Sequence, residues 1–129
     1  MTAPQLIIKT ILIRLASNGI AGIPEITKDN VDSLYDQFVV DDETGVAQDI
    51  VSEIREGNFQ TDITPDYSRH YESRSVGAKI DDKYVGWAYW FGGGKHGEPS
   101  AIGWIEDAYF LDLIETKMVP VMVFKKAAL

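Results

Sequence analysis

The run Trp87-Ala-Tyr-Trp-Phe91, followed at once by Gly92-Gly-Gly-Lys95-His96-Gly-Glu98-Pro99, constrains this chain more than any other stretch. Four aromatics in five residues favour a packed strand, because large flat side chains bury well on a pleated surface. Three consecutive glycines end that strand: they bring no side chain to pack, and ordering them costs the most backbone entropy. The chain therefore changes state at Gly92, and Lys95 and His96 are presented just beyond the change.

Alternation along residues 83–91 predicts two strand faces. Val85, Trp87, Tyr89 and Phe91 share one, and Tyr84, Gly86, Ala88 and Trp90 share the other. Neither face is polar, so both are expected to be covered at least in part. The small Gly86 and Ala88 admit a close neighbour, most simply a helix. Residues 71–80 read as a partner strand across a hairpin turn at Asp81-Asp82. A two-residue loop pairs Val76 with Trp87 and a three-residue loop pairs Val76 with Ala88, and the sequence leaves both open. Downstream, Glu98-Pro99 opens a short helix with Ala101, Ile102, Ile105 and Ala108 inward, closed over the sheet by Tyr109 and Phe110. Residues 110–114 and 119–124 then form a second antiparallel pair, with Pro120 marking an edge strand or its start.

The first half reads as helix. Thr2-x-x-Gln5 is a capping box, and Ile8, Ile11, Leu12 and Leu15 recur at helical spacing up to a stop at Asn18-Gly19. Ile7 and Ile13 widen the apolar stripe, which predicts a central helix buried on several sides. A second helix follows a Thr27 cap, with Val31, Leu34, Tyr35 and Phe38 on one face. A third spans about residues 44–56, with Val46, Ala47, Ile50, Val51 and Ile54 inward and Gly57 at its end. Asp41-Asp42-Glu43 precedes it, where negative charge suits the helix dipole. Residues 58–67 read as a joining loop. The prediction is an α+β fold: N-terminal helices packed on a three- to four-stranded antiparallel sheet, with a short helix inserted after the Gly-rich loop. Residues 1–129 are read as a single domain, with an acidic helical half over 1–57 and a mainly β half over 68–126.

Charge sets the partner class. Residues 1–66 hold 12 Asp/Glu and 4 Lys/Arg, whereas residues 67–129 hold 8 of each, so the net charge of −8 resides in the first half. Such a surface attracts basic protein surfaces and repels nucleic-acid phosphate and anionic lipid. Cysteine is absent, which excludes a disulfide framework and thiolate zinc sites. The apolar stretch at residues 6–16 is interrupted by Lys9, Thr10 and Arg14, and is not a signal peptide. It is also well short of the roughly 20 residues that cross a bilayer. The expectation is a soluble cytoplasmic protein.

Two sets of candidate site residues follow. The first is a partner-binding surface of Asp32, Asp36, Asp49, Glu53 and Glu56, completed by Lys95 and His96. The second, an alternative, is a small-ligand site for an anion or nucleotide at Gly92, Gly93, Gly94, Lys95, His96 and Glu98, where glycine amides turn to an anion and His96 moves a proton. Glu98, Glu106 or Asp107 could orient that histidine. The loop lacks the Gly-Lys-Ser/Thr of a nucleotide-binding loop and the strand-helix-strand context of a dinucleotide fingerprint, so no cofactor is assigned. Ser68, Ser73, Ser75 and Ser100 carry no nucleophile motif. His70 and Glu72 have ligand-like spacing, but with two histidines in the chain no metal site is assigned. A third possibility is an assembly protein whose Trp-rich surface is buried in an oligomer. The leading expectation is a non-enzymatic binding protein engaging a basic surface.

At residues 85–99, then Trp104-Ile-Glu-Asp-Ala-Tyr109, the chain resembles a family of small uncharacterised proteins from bacterial, phage and prophage genomes. They share a pattern close to Trp-Val-Gly-Trp-Thr-Tyr-Trp-Tyr-Gly-Gly-Gly-Lys-His-Gly-Glu-Pro, then Trp-Met-Glu-Asp-Ala-Tyr. Tyr84, Ala88 and Phe91 stand where that pattern has Trp, Thr and Tyr. The likeness covers about residues 71–125 and brings no activity, cofactor or catalytic residue. It implies a mobile-element accessory protein, such as an inhibitor or modulator of a host protein. A nucleic-acid-binding defence enzyme with a basic groove is one such target.

Overall fold

The computed structural model describes residues 1–65, 67–69, 71–92, 103–114 and 124–127. Helix α1 is Ala3–Ser17. Its capping box is formed: the Gln5 amide donates to Thr2 Oγ1 at 3.2 Å, and the Thr2 amide donates to Gln5 Oε1 at 2.9 Å. It stops at Gly19, whose φ of 91° suits a residue without a Cβ. Leu6, Ile7, Ile8, Ile11, Leu12 and Leu15 are buried, so the helix is central as expected, except that Ile13 is exposed.

Thr27 and Asn30 bond each other reciprocally through side chain and amide, at 2.7 and 3.3 Å, and open the turn before α2, Val31–Tyr35. The sequence pattern predicts that this helix continues to Phe38. Instead Asp36–Val40 forms a π turn, closed by the Asp41 amide donating to the Asp36 carbonyl at 3.0 Å. The wider turn buries Val39 and leaves Val40 exposed.

Helix α3 is Val46–Arg55. Ala47 and Ile50 are buried and Val51 and Ile54 pack on the core, but Val46 is 38% exposed, because Ala47 takes the inward position in the first turn. Asp42 supplies the cap. Its Oδ2 accepts from the Ala47 amide at 3.0 Å, and its Oδ1 accepts from the Thr44 hydroxyl and amide at 2.8 and 3.1 Å. Gly57, at φ 75°, ends the helix where a Cβ would stand 2.7 Å from Val76 Cβ.

The sheet runs β1-β2-β3-β4, all antiparallel: Phe59–Gln60, Glu72–Ile80, Lys83–Phe91 and Tyr109–Leu111. Asp81 and Asp82 both have positive φ, 49° and 65°, and Ile80 pairs with Lys83. The two-residue loop is therefore the one used, and Val76 faces Trp87. Two readings need correction. Strand β1 lies in the segment read as a loop, held by the Asn58 amide on the Gly77 carbonyl at 2.8 Å and the Thr61 amide on the Ser75 carbonyl at 2.9 Å. Among the described residues Gly86 is approached by a strand rather than a helix; a Cβ there would meet Tyr109 at 2.7 Å and Leu111 at 2.9 Å, side chains of β4. Tyr109 and Phe110 thus belong to that strand. Most of the inserted helix and the strand expected at 119–124 lie outside the described residues; residues 103–108 form a turn closed by the Ala108 amide on the Ile105 carbonyl.

Helix α1 touches α2, α3, β2 and β4, so it fills the space between the other helices and the sheet. Trp87 is fully buried, pairs across the sheet with Val76, and packs against Trp104 with ring centroids 5.4 Å apart and planes tilted by 45°. Its indole N–H donates at 2.8 Å to the carbonyl of Arg55, the last residue of α3. Carbonyls at a helix end lack intrahelical partners, so the aromatic strand caps the acidic helix. Among the described residues no helix is long and apolar enough to cross a membrane.

Candidate functional site

The five acidic side chains singled out in the sequence are all exposed. Asp32 and Asp36 lie one helical turn apart, and Asp49, Glu53 and Glu56 follow a spacing of four and three that forms one stripe on α3, opposite buried Ala47 and Ile50. Both helical segments pack beside α1. Asp32 accepts from Gln5 Nε2 at 3.3 Å, and Glu53 is paired with Arg14. Among the described residues, Asp36, Asp49 and Glu56 enter no ion pair.

The few cations of this half are largely committed elsewhere. Lys9 holds Asp81 of the hairpin turn at 2.5 Å, and Arg14 holds Glu53. Arg55 turns inward: its Nη1 donates to the Trp90 carbonyl at 2.7 Å, and its guanidinium lies 4.7 Å from the Tyr89 ring centroid. The negative charge of α2 and α3 is therefore left facing solvent. Among the described residues, no group of three or more His, Cys, Asp or Glu is placed to hold a metal ion.

Between the end of α1, the π turn and the start of α3 runs a groove of ≈ 330 Å³. Leu15, Ile20, Phe38 and Val46 form its apolar lining, and Asp41 and Glu43 stand exposed at its rim. Asp42 also lines it, and its hydrogen bonds from the Thr44 hydroxyl, the Ala47 amide and the Thr44 amide hold its carboxyl below the usual aspartate range. Nearby on α2, burial, and then the carboxylates of Glu106 and Asp36, push the Tyr35 phenol up. Glu106 thus acts electrostatically on Tyr35.

Of the glycine loop, Gly92 is exposed at φ 79°, while Gly93, Gly94, Lys95, His96 and Glu98 lie outside the described residues, as does His70. Its root is a cation–aromatic stack: Tyr89 and Phe91 lie 5.8 Å apart, with the Arg74 guanidinium 5.5 and 4.8 Å from their centroids. Sequence reasoning missed both this stack and the groove. The two-residue hairpin register would have exposed the first, since it sets Arg74 opposite Tyr89. The second depends on the π turn, which leaves no mark in an apolar pattern that fits an ordinary helix. No protein-family model, curated protein or solved structure matches this chain.

Proposed function

We propose that the protein is a small acidic, non-enzymatic binding protein whose helical half engages a basic surface of a partner. The observation that carries this reading is the set of exposed carboxylates on α2, the π turn and α3, of which Asp36, Asp49 and Glu56 enter no ion pair among the described residues, standing on a side of the molecule whose arginines are paired or turned inward. Long-range attraction from such a face speeds encounter with a basic partner and discriminates against acidic ones. The same charge disfavours direct binding to nucleic acid or an anionic membrane. A cysteine-free chain suits a reducing cytoplasm. The resemblance carried by the aromatic-glycine block makes the natural setting a phage or other mobile element. There the target is a host protein, for example a defence enzyme whose nucleic-acid groove an acidic protein can occupy.

Affinity capture from bacterial host lysate tests it, with the wild-type chain and an Asp36→Lys/Asp49→Lys/Glu56→Lys variant as baits. These three carboxylates carry no structural ion pair among the described residues, so the reversal spares the fold, and it moves the formal net charge from −8 to −2. A basic protein held in stoichiometric amount by the wild type at low salt, and lost from the variant, is expected. Capture of nothing at low salt, or equal capture by both baits, would defeat the proposal.

A further inference from the structure

We infer that the groove between α1, the π turn and α3 is the docking point for a basic segment of the partner, which inserts one apolar side chain between flanking Lys or Arg residues. The inference rests on the reading of the helical half as a surface for a basic partner and gives that surface its anchor.

Three observations converge. The lining is apolar, and one of its members, Val46, is 38% exposed at the first residue of a helix whose other apolar positions turn inward. The rim is acidic: Asp41 and Glu43 are exposed and enter no ion pair among the described residues, and the Asp42 carboxylate is held by the Thr44 hydroxyl and the Thr44 and Ala47 amides. The wall is made by an unusual backbone. Single π turns recur at functional sites, because they set side chains where a regular helix cannot. Here the π turn sets Gln37 and Phe38, and Asp41 just past its last residue, into the lining of one groove.

Charge and shape then select the occupant. A carboxylate or phosphate ligand meets like charge at the rim. A neutral apolar ligand leaves the carboxylates without a counter-charge. A bare cation leaves the apolar lining wet. Only a ligand apolar at its tip and basic at its flanks answers both. The ≈ 330 Å³ volume lies at the small end of the ligand-pocket range, which suits one inserted side chain rather than a cofactor.

Amide NMR titration of the full chain with two capped peptides, Lys-Arg-Leu-Arg-Lys and Lys-Arg-Ser-Arg-Lys, tests this. The Leu peptide is expected to bind about tenfold more tightly, the worth of burying one aliphatic side chain in part. Its shifts should centre on Gln37, Phe38, Asp41 and Val46. Val46→Lys, and independently Glu43→Lys in case the first disturbs the helix start, should weaken the Leu peptide at least to the level of the Ser peptide. Equal binding of both peptides, with shifts centred on Asp32, Asp49 and Glu53, would overturn the groove and leave the wider acidic surface standing. Binding of neither at low salt would overturn both. Butylguanidinium matching the Leu peptide's affinity would mark a small-molecule site and overturn the peptide assignment.

Discussion

Replacing Trp87 with Phe separates its two roles, filling the core and capping α3. The ring is fully buried, and its N–H satisfies the Arg55 carbonyl at 2.8 Å. Phe keeps an aromatic against Val76 and Trp104 but removes the donor and part of the volume. Leaving a half-buried carbonyl without its partner costs about 1–3 kcal/mol. Full truncation of a buried Trp costs roughly 3–5 kcal/mol, so losing the smaller ring of the indole costs about 1–2. The sum is about 3 kcal/mol, a large share of the roughly 5–15 kcal/mol that stabilises a typical domain. With a urea slope of about 1.5 kcal/mol/M, the unfolding midpoint falls by about 2 M. Hydrogen exchange supplies the local readout: the amides of Ile54 and Arg55, in the last turn of α3, should lose protection beyond the global change. A loss under about 1 kcal/mol with the end of α3 still protected would refute the capping argument.

Two further outcomes follow from the backbone and the charges. Gly57→Ala should destabilise by about 2–3 kcal/mol in chemical denaturation, since a positive φ and a Cβ 2.7 Å from Val76 act together, whereas Gly19→Ala, with open space around it, should cost about 1 kcal/mol. Asp42 has its folded pKa lowered, so its stabilisation is fully present above the unfolded aspartate value and is lost as pH falls through the folded one. Asp42→Asn should therefore flatten the fall of stability with acidification below about pH 4, and carboxyl NMR titration should place the Asp42 midpoint under that of an unstructured aspartate.

Much of the fold could be read from local chemistry. The Thr2/Gln5 box, the Gly19 and Gly57 stops and the alternation of residues 83–91 each depend on neighbours in sequence, and each formed as its residues dictate. What escaped depends on distant parts of the chain. Phe59 and Gln60 became a strand because β2 offers its edge, not because two residues of a polar stretch prefer extension. The neighbour of Gly86 is a pair of side chains from β4, which the small-residue pattern could not distinguish from a helix. The π turn is a choice between two helical closures of similar pattern, settled by burying Val39 against the core. The candidate acids were legible as exposed positions from helical periodicity alone. That Arg14 holds Glu53, and so removes it from the free charge, required the packing of α1 on α3.

The most direct test of the acidic surface is the salt dependence of the dissociation constant for the captured basic partner, measured from about 0.05 to about 0.3 M NaCl, over which screening shortens the reach of exposed charges. The affinity of the wild-type chain is expected to fall at least tenfold across that range, while the Asp36→Lys/Asp49→Lys/Glu56→Lys variant binds weakly and with a nearly flat response. A wild-type affinity indifferent to salt, or a variant that binds as tightly as the wild type, would contradict the account.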